Sequence, residues 1–130
     1  MELKFDEEKN IAYIKLSGAV REEDVLGAFD SAVSSKKYQK GMGRLWDLRD
    51  VDLSSLSPAS IDRFFSHHSK FQTEINDVKV ALVATNHVEF GIAQIYELYA
   101  SDLITDTHVF NDIAAAEAWM MQKKYTARAS

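Results

Sequence analysis

Three groups of side chains have residue types that could do chemistry. The first lies in the stretch Arg44-Leu-Trp-Asp-Leu-Arg-Asp-Val-Asp-Leu-Ser-Ser-Leu-Ser-Pro58, where Asp47, Asp50 and Asp52 surround Arg49. Carboxylates this close suggest a Mg²⁺ site or an acid/base pair. In a strand, however, Asp47 and Arg49 share one face, while Asp50 is expected in the loop that follows. No glycine-rich phosphate cradle accompanies them, so the reading is a structural or solvated acidic loop. The second group is Ser54, Ser55 and Ser57, candidate phosphosites because phosphate is electrostatically favoured near a helix N-terminus. The simpler reading is that Ser57, before Pro58 in the first helical turn, is an N-cap residue and that Ser54 and Ser55 are loop residues facing solvent. The third group is His67, His68, His87 and His108. None falls in an HExxH pattern or another ligand spacing, and the chain has no cysteine, so neither a metal nor a cofactor is predicted.

His68 falls on an apolar helical stripe, where a partly buried, hydrogen-bonded imidazole is the simpler account. His87 is placed in a loop beside Thr85 and Asn86, at the end of the sheet that Arg49 and Asp50 also reach. These five residues form the best polar constellation in the sequence. It lacks a nucleophile with an adjacent base, and no catalysis is predicted.

The elements that position these groups follow from periodicity. Glu2 to Asp6 and Ile11 to Ser17 alternate as strands around the polar Glu7-Glu-Lys-Asn10, which predicts a β-hairpin. Glu22 to Ser34 carries a helical stripe at Val25, Leu26, Phe29, Ala32 and Val33, with Glu22, Glu23 and Asp24 favourably placed in its first turn. A strand over Arg44 to Arg49 leads to a helix from Pro58, whose apolar positions are Ile61, Phe64, Phe65, His68, Phe71 and Ile75. The nearly all-apolar run Val78 to Ala84 reads as a central strand buried on both faces. A helix over Glu89 to Leu103, a short strand over Thr107 to Phe110, and a helix capped by Asn111 or Asp112 and running to Met121 complete the chain. Trp46 and Trp119 are both expected to be substantially buried, one in a strand and one against the sheet from the last helix. The order β-β-α-β-α-β-α-β-α implies α/β architecture, with parallel strands joined by right-handed crossovers and one antiparallel edge strand. Residues 1–130 are expected to form a single domain.

Composition narrows the function classes. A net charge of −5 with no basic patch argues against a nucleic-acid partner. No apolar run is long enough to span a membrane, and the first residues lack a signal core. With no cysteine, the expectation is a soluble cytoplasmic protein.

Three blocks together resemble the SpoIIAA-like family, bacterial relatives of the STAS domains that include anti-sigma-factor antagonists. They are Leu45-Trp-Asp-Leu-Arg-Asp-Val-Asp-Leu-Ser, Val80-Ala-Leu-Val-Ala with Phe90-Gly91, and His108-Val-Phe-Asn-Asp-Ile-Ala-Ala-Ala-Glu-Ala-Trp119. The resemblance covers essentially the whole chain. It implies a right-handed βα superhelix on a five-stranded mixed sheet, with strands in chain order and helices predominantly on one side. A sheet in that order has no reversal point, and hence no ready crevice at its strand ends. STAS antagonists carry an Asp-Ser-Ser-Gly motif whose serine is phosphorylated. The corresponding loop here, Asp52-Leu-Ser-Ser-Leu-Ser-Pro58, has serines but neither that motif nor its glycine, so the switch does not carry over.

One feature exceeds what a core requires. The helix after the fourth strand carries Phe90, Ile92, Ile95, Tyr96, Leu98 and Tyr99 around more than one face, and the preceding helix adds Phe64, Phe65 and Phe71. These nine residues are the candidate surface for a partner or ligand. The reading is a non-catalytic, intracellular interaction or regulatory module that meets a protein partner or forms a homodimer. The alternative is a binding protein for a small apolar, lipid-like ligand with transient attachment to a membrane surface.

Overall fold

The computed structural model describes residues 1–70, 78–100 and 106–122, less the side chains of His68 and Ser69. Strands β1 (Glu2–Asp6) and β2 (Ile11–Ala19) pair antiparallel as the predicted hairpin. Its turn closes on Asn10 at φ 58°, a left-handed conformation that asparagine tolerates better than most residues. Asn10 also fixes the entry to the third strand. Its Nδ2 donates to the Gly41 carbonyl at 3.1 Å, and its own carbonyl accepts from the Gly43 N–H at 3.0 Å.

Helix α1 (Glu22–Ser34) precedes β3 (Gly43–Asp52), which leads to α2 (Pro58–Ser69). Then come β4 (Lys79–Val83), α3 (His87–Ala100), β5 (Asp106–Phe110) and α4 (Ile113–Met120). Asp112 caps α4 by accepting from the Ala114 and Ala115 N–H groups. The five strands lie in the order β1-β2-β3-β4-β5, with every pair after the first parallel. This is the α/β mixed sheet expected from the element order.

Strand parity divides the interior into two cores. Ile14, Leu16, Trp46, Leu48, Val80 and Leu82 face the larger core, which Phe29 of α1 and Ala93 of α3 help to fill. Ile11, Leu45, Ala81 and Val83 face the smaller one, under Ala116 and Met120 of α4. Residues Val80, Ala81, Leu82 and Val83 are consecutively buried, because β4 is central and covered on both sides. Gly43 lies close to the β4 backbone and to the tip of the Met120 side chain from α4. A Cβ there would stand 2.7 Å from Met120 Cε and 3.0 Å from the Lys79 carbonyl oxygen.

Several boundaries differ from the sequence reading. Strand β3 runs on to Asp52, so Asp50 belongs to the strand and pairs with Ser17. The register shift between Lys15 and Ser17 accommodates one extra β3 residue, a bulge that lets pairing continue past Arg49. Helix α3 starts at His87 because the Asn86 side chain accepts from the Val88 N–H at 2.9 Å, which caps the helix two residues early. Trp46 is buried and Trp119 is largely covered, as expected of both. Trp119 packs against the rings of His108 and Phe110 at the margin of the smaller core. Phe71, Ile75, Leu103 and the chain after Gln122 lie outside the described residues, as do the surroundings of His68.

Candidate functional site

Helix α3 has two unlike faces. Glu89, Ala93 and Ala100 are buried, and Phe90, Ile92 and Tyr96 pack against the larger core. On the other side Val88 is 60% exposed, Ile95 44%, Leu98 73% and Tyr99 37%. Apolar residues this open on one helix are more than scattered surface hydrophobics. The exposed positions of α3 are His87, Val88, Gln94, Ile95, Leu98 and Tyr99, and none is Asp, Glu, Lys or Arg. Both carboxylates of the helix are used elsewhere. Glu89 is turned inward, and Glu97 accepts the Val109 N–H of β5 at 3.0 Å. The latter contact also occupies an open hydrogen-bonding position on an edge strand, which discourages strand-to-strand association there.

The structure therefore separates the nine apolar residues singled out in the sequence. Phe64 is buried, while Phe65 lies at the margin with its ring edge-on to Tyr99 at 6.5 Å. Phe90, Ile92 and Tyr96 point into the fold, and Ile95, Leu98 and Tyr99 point out of it. Phe71 lies outside the described residues. Val88 belongs to the exposed stripe although size alone did not draw attention to it; its spacing of seven from Ile95 was the available signal.

A cavity of about 70 Å³ lies between the sheet and helices α2 and α3, lined by Leu48, Leu53, Leu56, Ile61, Phe64, Ile92 and Tyr96 among others. The ordered sheet was expected to leave no crevice at its strand ends. This space arises differently, from helices standing off the sheet. Arg44 also lines it, with no exposed surface, although the sequence suggested no role for that residue. Its Nη1 donates to the Tyr38 hydroxyl at 2.8 Å, and its guanidinium stands 5.3 Å from the Phe29 ring centroid. Burial pushes the Tyr96 phenol above its usual range, and the positive Arg44 pulls weakly the other way.

Each of the polar strand-end residues has its own local environment. Arg49 holds Asp47 through two 2.8 Å hydrogen bonds, and this pairing keeps the Asp47 carboxyl below its ordinary range. Asp50 faces Lys15 at 3.8 Å. Asn86 caps α3, while Thr85 and His87 are exposed. No hydrogen bond or ion pair among the described residues joins Arg49 or Asp50 to Thr85, Asn86 or His87. Nearby, Tyr13 donates to Glu117, and burial followed by that carboxylate pushes its phenol upward.

The serines have local work. Ser57 accepts from the Ser60 N–H and its own N–H donates to Ser60 Oγ, both at 3.2 Å, so the pair forms a reciprocal cap for α2. Ser55 donates to the Val20 carbonyl at 2.6 Å, and the exposed Ser54 donates its N–H to Asp52 at 2.9 Å. Among the described residues no group of three His, Asp or Glu side chains could hold a metal ion, and no helix is long and apolar enough to cross a membrane.

No protein-family model and no curated protein matches the chain. Among solved structures it is similar to an uncharacterized protein of the DUF3478 family from Shewanella loihica PV-4, described as having a SpoIIAA-like fold. The match has a TM-score of 0.58 and covers 92% of this chain and 90% of that one, at 16% identity. The fold is SpoIIAA-like. At that identity the likeness establishes architecture alone. The SpoIIAA-like sheet in chain order, with α1, α2 and α3 contributing to the larger core and α4 to the other, agrees with what the sequence blocks implied.

Proposed function

We propose that this chain is a single-domain, intracellular interaction and regulatory module that works without catalysis, and that the exposed face of α3 is its partner surface. The SpoIIAA-like fold suits such a role. The observation that carries the reading is the largely apolar set of exposed positions on α3, without Asp, Glu, Lys or Arg, in a chain whose residues are 27% charged. Such a face excludes water well when covered and offers little reason to stay bare. The serine loop supplies no regulation in this reading, since Ser57 and Ser55 are engaged in capping α2 and holding the Val20 carbonyl.

The apolar-ligand alternative has one observation in its favour, the cavity beside α2 and α3. Its volume of about 70 Å³ is well below the roughly 300 Å³ at which small-molecule pockets usually begin. The interaction reading needs no enlargement of the fold, and we prefer it. Wild-type chain and Leu98→Asp, each immobilised as bait in extract of the source cells, test it. Proteins or further copies of the chain held by the first and lost by the folded second are expected. Identical retention by both would exclude α3 as the partner surface.

A further inference from the structure

We infer that the partner for the exposed face of α3 is a second copy of this chain, packed antiparallel across a two-fold axis. The inference rests on the partner-surface reading above and names its occupant. Its basis is the pattern Val88, Gly91, Ile95, Leu98, whose 3-4-3 spacing is that of a two-helix seam. Val88, Ile95 and Leu98 are exposed, and a Cβ built on Gly91 meets no atom within 4 Å. Gly91 is therefore a hole in the stripe, one turn from Ile95.

Run antiparallel against itself, this stripe is self-complementary. Val88 faces the second copy's Leu98, and Gly91 faces its Ile95, both pairs centred at the height of residue 93. Each isoleucine enters the gap left by the other copy's glycine, and the symmetry makes the fit twice. Electrostatics at the seam allows the same partner. Copies of a chain of net charge −5 repel one another overall. The exposed positions of α3 carry no Asp, Glu, Lys or Arg, so the seam itself brings no like charges together. A strongly basic partner would find no carboxylate among those positions. The seam from Val88 to Leu98 is only about 15 Å long at 1.5 Å per residue, so the contact belongs to the small, reversible class.

Sedimentation of the full chain from about 1 to 500 μM tests the inference, the range being set by the weak affinity expected of a small interface. The wild type should pass from monomer toward dimer within it. Leu98→Asp, which sets a charge in the seam, and Gly91→Ile, which fills the hole, should each weaken association at least about tenfold. Circular dichroism checks that both remain folded, as substitution at open positions should allow. The double variant Gly91→Ile with Ile95→Gly exchanges knob and hole and should recover association relative to Gly91→Ile alone. A wild type monomeric throughout overturns the inference, as does a dimer indifferent to both single variants. Failure of the exchange to recover association overturns the antiparallel pairing. A monomeric wild type that still captures another protein through Leu98 would sink the dimer alone and leave the broader interaction reading standing.

Discussion

Arg44 and Arg49 stand on one strand and meet opposite fates. Arg44 faces the larger core, fully buried between the Tyr38 hydroxyl and the Phe29 ring. Arg49 faces the α4 side, where its side chain is 38% exposed and grips Asp47. The α1–α3 side closes over β3 and removes a charge from water, whereas α4 leaves the C-terminal half of β3 open. Of the two arginines, the one legible as a site in sequence is the more exposed. Its carboxylate partner lies two residues away on the same face, while Arg44 reaches groups brought in by other elements.

Breaking the buried side should have the largest effect. Arg44→Ala is expected to cost about 3–5 kcal/mol, through a lost charge-assisted hydrogen bond, a lost ring contact and the void left behind. Urea denaturation giving a loss under about 1 kcal/mol would mean that this side tolerates the arginine rather than being built around it. On the α4 side, Trp119→Ala should cost about 2 kcal/mol, below the range for a fully buried aromatic, because Trp119 is not fully buried. A loss as great as that of Arg44→Ala would show the two sides to be equally critical.

The Asp47 and Arg49 pair gives a smaller and pH-dependent signal. Because the folded-state carboxyl is depressed from its ordinary value of 3.8, its stabilisation is fully present above that value and is lost as pH falls through the lower folded value. Asp47→Asn should cost about 1 kcal/mol at neutral pH, a figure discounted for the exposure of Arg49. The difference from wild type should shrink as pH falls below 3.8, as followed by denaturant melts across that range. A difference that is constant with pH would assign the effect to packing and not to charge. Smallest of all is Lys15→Ala. Its 3.8 Å pairing with Asp50 lies between side chains 40% and 67% exposed, and its loss should cost less than about 0.5 kcal/mol. A cost above 1 kcal/mol would reveal that the open part of this face is more tightly organised than its exposure suggests.

The sequence by itself determined the element order, the parallel sheet with one antiparallel edge, the cap at Ser57 and a cap at Asn111 or Asp112, because these depend on periodicity and short-range hydrogen bonds; the structure chose Asp112. It also paired Asp47 and Arg49 on one face through strand parity. Other features required contacts between distant segments. The bulge that carried β3 past Arg49 depends on register with β2. Burial of Arg44 depends on Tyr38 and on Phe29 of α1. The division of α3 into Phe90, Ile92 and Tyr96 within and Val88, Ile95 and Leu98 without depends on how the helix is rotated against the sheet. An apolar side chain records in sequence that it prefers to leave water. Only tertiary packing decides whether its own fold provides the cover, because a helix rich in large residues has more apolar surface than one core can take.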